Sequence, residues 1–247
     1  MAIAAVDLIA QNLCRVRERI AEAALRAGRA PEEVLVVAVS KTFDAASVRA
    51  AWEAGQRDFG ENYVEEAQAK MAALAKLPEL RWHMIGHVQS RKARDVAGHF
   101  WLVHSVDSLR LARKLSERLP AGATQDILLE CNVSGEASKS GFALANWPRD
   151  PGCFAAFAAD VSAIMALPGL RLCGLMTMAP LVHHPDEARP VFARLRALRA
   201  ALQDRFPEAP ADTWAHLSMG MSDDFEAAIA EGATIVRIGR AIFGTRS

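Results

Sequence analysis

At 247 residues the chain has about the length of one (β/α)8 barrel, which takes roughly 250. Its 29 basic and 29 acidic side chains cancel, so overall charge gives no case for nucleic acid or an anionic membrane as partner. Four scattered cysteines (Cys14, Cys131, Cys153, Cys173) include no CxxC pair, which argues against a disulfide scaffold or a zinc site and for a reducing compartment.

Residues Met1 to Ala10 carry no basic stretch ahead of their apolar residues, and Asp7 interrupts them. No signal peptide and no membrane span are expected, and the implied setting is cytoplasmic. An amphipathic helix is predicted from about Ala4 to Ala27, with Arg15, Arg17, Glu18, Arg19 and Glu22 on its wet side and Gly28 and Pro31 marking its end. The β-branched run Val34 to Ser40 reads as a buried strand, closed by Lys41. From there strand and helix signals alternate. Strands are predicted at 57–61, 81–86, 100–105, 126–133, 170–178, 214–218 and 234–238. Helices fall at 44–54, 63–76, 89–97, 108–119, 154–165, 186–206 and 223–231, with a short closing helix after the last strand. Residues 143–152, rich in Pro, Trp and Asn, read as a surface loop. Eight strands alternating with helices predict a parallel sheet with helical crossovers. In a chain this short, the economical arrangement is a single (β/α)8 TIM-type barrel with an extra N-terminal helix, forming one domain over 1–247. An open doubly wound sheet is the competitor, but no GxGxxG follows the first strand.

A barrel of this kind places its active site at the C-terminal ends of the strands, often with a phosphate site after strands seven and eight. Lys41 ends strand one, where an ammonium must be partnered, exposed or chemically employed. A desolvated lysine is the usual nucleophile toward an aldehyde. After strand seven comes Ser218-Met219-Gly220-Met221-Ser222-Asp223-Asp224, with a hydroxyl, a bare backbone and a serine-capped helix start that favour an anion. After strand eight comes Arg237-Ile238-Gly239-Arg240, whose Arg237 interrupts an apolar strand and should face the barrel mouth or an acid. Each feature has a plainer reading: a solvated lysine, a capped helix, a structural ion pair. His83 reads as a satisfied core histidine, Met176 and Met178 as packing, and Lys139 as a surface charge. Lysine, anion donors and arginine nevertheless fall on strands that adjoin in a closed barrel. The trio fits pyridoxal 5′-phosphate (PLP), which has an aldehyde, a phosphate and a ring nitrogen for which arginine is a known partner. A sugar phosphate bound to Lys41 is the reading that uses no cofactor.

Several long stretches together resemble the pyridoxal-phosphate homeostasis protein family over nearly the whole chain. They are Val37-Ala38-Val39-Ser40-Lys41-Thr42, Phe59-Gly60-Glu61-Asn62-Tyr63, Trp82-His83-Met84-Ile85-Gly86, Asn132-Val133-Ser134-Gly135-Glu136 with Ser138-Lys139-Ser140-Gly141-Phe142, Gly174-Leu175-Met176-Thr177-Met178, Leu217-Ser218-Met219-Gly220-Met221-Ser222, and Val236-Arg237-Ile238-Gly239 with Ala241-Ile242-Phe243-Gly244. The resemblance implies a barrel like the N-terminal half of alanine racemase. It implies PLP held as a Schiff base on Lys41, Arg237 at the ring nitrogen, Asn62 near the cofactor, and Ser218, Met219, Gly220, Gly239 and Arg240 around the phosphate. It implies a non-catalytic, monomeric carrier in vitamin B6 homeostasis, with delivery of PLP to apo-enzymes as a further expectation. The alternative is a PLP-dependent racemase-like enzyme. Against it, alanine racemase takes its second base, a tyrosine, from an additional β-domain, whereas the one tyrosine here is Tyr63. The chain departs from the family at Gly86-His87-Val88-Gln89, where relatives carry proline in place of His87, and its 143–152 loop looks expanded.

Overall fold

The structure, a computed structural model, describes residues 2–182 and 184–245, with side chains from Asp7 onward. The first helix, α1 (Ala2–Arg26), buries Ile9, Leu13, Val16, Ile20 and Ala24. Steps of three and four place these on one stripe, while Arg15, Glu18, Arg19 and Glu22 take the other side. That stripe lies against α2, α8 and α9, whose positions are given below, so α1 joins the start of the helical layer to its end.

The remaining elements are β1 (Leu35–Val39), α2 (Ala45–Glu53), β2 (Asp58–Glu61), α3 (Val64–Ala73), β3 (Arg81–Met84), α4 (Ala93–Val96), β4 (Leu102–Val106), α5 (Leu109–Arg118), β5 (Gln125–Asn132), β6 (Phe142–Ala143), α6 (Pro151–Met165), β7 (Leu170–Met176), α7 (Arg189–Arg205), β8 (His216–Ser218), α8 (Phe225–Ala230), β9 (Ile235–Ile238) and α9 (Arg240–Phe243). Eight strands pair in parallel in the order β4-β3-β2-β1-β9-β8-β7-β5, and β4 also pairs with β5, which closes the sheet into a barrel. The expected barrel and its extra N-terminal helix are therefore observed. Val37, Leu102, Leu128, Cys173, Met176 and Ile235 form a cluster of their own, packed inside the closed sheet. The larger apolar cluster fills the space between sheet and helices.

Differences from the expected elements have local causes. The segment 143–152 is shorter as a loop than its composition indicates. Phe142–Ala143 adds a two-residue strand beside β5, and Asp150 caps α6 by accepting from Gly152 N and Cys153 N, so the helix starts at Pro151. The 89–97 helix is reduced to a 3-10 turn and four α-helical residues. The seventh predicted strand shortens to His216–Ser218 because Ala211–Trp214 winds into a 3-10 turn.

Two bulges flank β5. On one side Val103 and Val106 oppose Ile127 and Leu129; on the other Leu172 and Leu175 oppose the same two residues. Each neighbour thus spends one extra residue, which switches its inward face and explains why both Cys173 and Met176 point inside. The β7 bulge contains Gly174, at φ 145, where a Cβ would stand 2.0 Å from the carbonyl oxygen of His216 on β8. Gly174→Ala is expected to destabilise the protein by about 3 kcal/mol or more, because it must displace a paired backbone. A denaturant midpoint within error of wild type would contradict this account of the bulge.

Candidate functional site

Strand alternation decides which side chains meet at the barrel mouth. Leu35 and Val37 face inward, so the same phase carries Lys41, just past β1, to the rim at the C-terminal ends of the strands. Strand β9 pairs with β1 on one side and β8 on the other, which brings the ends bearing Lys41, Arg237 and Ser218 side by side, as the sequence reading requires. Asn62 follows β2 and is half-buried at the next strand end.

Arg237 points into the barrel and is 4 % exposed. Its Nη1 donates to Ser218 Oγ at 2.6 Å and its Nη2 to the carbonyl of Thr177 at 2.9 Å. Two of five N–H groups are thereby used, and the others have no hydrogen-bond partner among the described residues. Burial lowers its pKa to about 10, with the charges of Asp224 and Glu130 pulling the other way, so it remains a cation near neutrality. Burial raises the Asp224 carboxyl above its ordinary range, partly offset by the hydrogen bond from Met221 N.

Ser218 lies fully buried beneath the rim, with its hydroxyl turned inward. It begins a polar chain that crosses the barrel. Ser218 Oγ lies 2.8 Å from His104 Nδ1, His104 Nε2 lies 3.0 Å from His83 Nδ1, and His83 Nε2 lies 3.0 Å from Asp58 Oδ1. Asp58 also accepts from Arg81 Nη2 at 2.6 Å, at the opposite end of the barrel. The proton positions follow from the ends. The Asp58 carboxylate only accepts, so His83 donates from Nε2 and accepts at Nδ1; His104 then donates from Nε2 and accepts the Ser218 proton at Nδ1. Arg237, which only donates, completes the chain. Both imidazoles are fully buried, and desolvation holds their pKa values down: for His83 against the pull of Asp58, and further for His104. The neutral forms this chain requires are the ones burial favours.

The other expected site residues separate into two groups. Gly220 and Gly239 border the mouth with open backbone. The N–H groups of Gly220, Ser222, Gly239 and Arg240 donate to nothing among the described residues, so the turns after β8 and β9 present four unspent donors. Gly220, at φ 95, could not carry a side chain, since a Cβ would stand 2.6 Å from that of Ala228. Met219 belongs to the outer core, and its N–H is used on the carbonyl of Ile235. Arg240 is exposed and ion-paired with Asp223 on the rim. Ser222, read from sequence as a helix cap, instead accepts from Ala241 N at 3.3 Å and ties the two turns together; Asp224 occupies the N-cap position of α8, but its side chain accepts from Met221 N and from no amide of the helix. Residues not anticipated from sequence are His104, Glu130 and Lys70; Glu61 and Thr177 stand at polar strand ends, and their partners Lys70 and Arg237 come from other elements. His104 and Glu130 each interrupt an apolar strand run, the same signal that marked Arg237.

Glu130 faces the interior at 3 % exposure and accepts no hydrogen bond among the described residues. Burial, reinforced by Asp107 and opposed by Arg237, raises its pKa to about 7. A carboxyl raised in the folded state binds its proton there when the unfolded chain has lost it. It therefore removes stability as pH rises from about 4.5 through about 7. Glu130→Gln should gain on wild type by about 3 kcal/mol between pH 5 and pH 8, a shift of roughly 2.5 units in pKa. Parallel stability curves for the two proteins would show that Glu130 titrates normally. His104→Leu should cost about 2–4 kcal/mol, because Ser218 loses its acceptor and His83 its donor inside the barrel. A loss below about 1 kcal/mol in urea unfolding would mean that the chain is not formed in solution.

The family described as "Alanine racemase, N-terminal domain" matches residues 11–247. The chain is similar to the pyridoxal phosphate homeostasis protein of Pseudomonas aeruginosa, at 51 % identity over 98 % of this chain and 97 % of that protein. The protein of the same name in Escherichia coli K12 is 44 % identical, over 96 % and 97 %. Among solved structures, PipY of Synechococcus elongatus with PLP bound superposes with a TM-score of 0.80 at 37 % identity, covering 96 % of this chain and all of PipY.

Proposed function

The chain belongs to the pyridoxal phosphate homeostasis proteins, within the wider family of alanine racemase N-terminal domains, and from that membership we propose that it is a single-domain carrier of PLP. Lys41 is the attachment point: its amine adds to the cofactor's aldehyde and one water leaves, forming a Schiff base. The observation that carries this reading is the adjacency of three unlike groups on β1, β9 and β8. These are an amine at the rim, a buried guanidinium with N–H groups to spare, and a set of unspent backbone donors.

The residues present fit the cofactor. The donors of Gly220, Ser222, Gly239 and Arg240 suit a phosphate, and the unused N–H groups of Arg237 suit a pyridine nitrogen that accepts. Asn62 lies at the strand end beside Lys41. Ser218 contributes by holding Arg237, and Met219 by its place in the chain between Ser218 and Gly220. When bound, PLP supplies an aldehyde that condenses with amines; this chain supplies the amine, the anion donors and a cation at the ring. A cationic partner keeps the ring nitrogen unprotonated and weakens the ring as an electron sink, which suits storage better than turnover. The racemase-like alternative needs a second proton-transfer group, and Tyr63, at the N-cap of α3, is 57 % exposed.

A cytoplasmic, monomeric protein that passes PLP to apo-enzymes completes the proposal. The four cysteines are free, as a reducing compartment requires, and no helix among the described residues is long and apolar enough to cross a membrane. Purified protein supplied with PLP should develop a visible band that borohydride removes, leaving a pyridoxyl mass on the Lys41 peptide. Lys41→Ala should lose that adduct and keep its unfolding midpoint within about 1 kcal/mol, because a rim lysine packs little. A wild-type protein that stays colourless with PLP added would overturn the carrier reading, and an undiminished adduct in Lys41→Ala would move the attachment elsewhere.

A further inference from the structure

Lys41 sits on a turn that strand pairing alone does not hold. The next residue, Thr42, has φ 68, a left-handed conformation that a β-branched residue adopts only when its surroundings impose it. The turn closes on itself through Phe43 N, which donates to the Ser40 carbonyl at 3.0 Å, and α3 and the end of β2 add further restraint. Ser40 Oγ donates to Glu61 Oε1 at 2.6 Å, and the Ser40 carbonyl accepts from Lys70 Nζ at 2.6 Å. On the other side of Lys41, Thr42 N donates to Glu66 Oε1 at 2.5 Å. Lys70 links both sides, donating to Glu61 Oε1 at 2.7 Å and to the same Glu66 oxygen at 2.6 Å. All three N–H groups of its ammonium are thereby used. Lys70 is 5 % exposed and Glu61 fully buried.

A buried ion group of this kind is an inefficient way to gain stability. Well-packed apolar residues in its place are often as stable or more so, since two charges must be desolvated. Desolvation is evident at Glu61, whose carboxyl burial pushes up and whose Oε2 has no hydrogen-bond partner among the described residues. The group does accomplish something an apolar cluster could not. It grips backbone atoms of both residues that flank Lys41 and leaves the lysine itself between them.

We infer that Lys70, with Glu61 and Glu66, is a positioning device for Lys41: it holds the 40–42 turn so that the amine is aimed at the barrel mouth. The inference rests on Lys41 as the attachment residue.

The test compares wild type, Lys70→Met, and Lys70→Met combined with Thr42→Gly, since glycine adopts the left-handed turn unaided. Leu198→Ala, in the core of α7, serves as a control for lost stability alone. Two readouts use the cofactor-free protein: hydrogen exchange of the Thr42 amide, and the pH profile of Lys41 acetylation by peptide mass mapping. A third is the rate of the borohydride-trappable adduct on Lys41 after PLP is added. Lys70→Met should exchange the Thr42 amide at least tenfold faster, shift the acetylation profile and form the adduct at least tenfold more slowly. Adding Thr42→Gly should recover part of that rate, and Leu198→Ala should retain it. Should Lys70→Met not fold, Glu66→Ala, at a partly exposed position, is read in the same way. Wild-type adduct rate and Thr42 exchange in the substituted protein, or an equal slowing in Leu198→Ala, would reduce the group to a structural ion pair. Absence of any Lys41 adduct in wild type would defeat the carrier reading instead, while Thr42 exchange would still decide whether the clamp exists.

Discussion

Arg237 carries its charge into the interior of a closed barrel, where an unpaired ion would cost several kcal/mol. The polar residues inside the sheet are intelligible from that one demand. The Thr177 carbonyl reaches Arg237 because the β7 bulge has re-aimed the end of its strand. The Ser218 hydroxyl can accept from the guanidinium only if its own proton goes elsewhere, and His104 takes it. His104 then has to donate to His83, and His83 to Asp58, so the request for an acceptor is passed down the barrel until a carboxylate meets it. Arg81 balances that carboxylate where the barrel opens at its other end. Each member has one consistent hydrogen-bonding sense, and a gap at any point leaves a buried group unmatched.

Strand β2 shows how one short segment serves the inside and the outside of the sheet together. Alternation sends Asp58 inward to the histidine chain and Glu61 outward to Lys70 and Ser40. The inner network ends at Arg237 and the outer one at the turn bearing Lys41. Two of the three groups that define the mouth are thus anchored through a single four-residue strand, from opposite faces. Between these anchors Gly60 leaves room for its neighbours: a Cβ there would stand 2.9 Å from Ile85 Cδ1 and 3.0 Å from Val37 Cγ1, so those side chains would have to shift.

Strand count, parallel order and the adjacency of the strand ends that bear Lys41, Ser218 and Arg237 are legible in the chain, because they depend on hydrophobic periodicity and on where polar residues interrupt it. What could not be read were relations that depend on register. The inward turn of Ser218 and the outward turn of Met219 are set by one residue of phase, and a bulge or a short strand shifts that phase without a compositional mark. His83 reads as a satisfied core histidine and is one, yet its partners, His104 and Asp58, lie on other strands and no spacing rule joins them. Ser222 was legible as a polar residue at a helix start, but its actual partner, Ala241 N, comes from the next strand's turn. Lys70 resembled any lysine in the last turn of a surface helix; only the fold shows its ammonium carried under the rim.

On the proposed carrier reading, the division of labour at the mouth bears on how the site would hold a reactive aldehyde. Arg237 stays protonated near neutrality, since burial brings it only to about 10, and its position is dictated by a chain with no slack. A pyridine nitrogen held by it would accept a hydrogen bond and not carry a proton, which would withhold the electron sink that carbanion chemistry needs. A strong acid partner at the same place would reverse that. The chain has such acids close by, in Asp224 and Glu130, and burial raises the pKa of both, to about 7 in the case of Glu130. The same desolvation that permits a neutral pair of histidines beneath Arg237 therefore blunts the carboxylates around it. On the proposed reading, the low dielectric of the barrel interior is what favours a held cofactor over a working one.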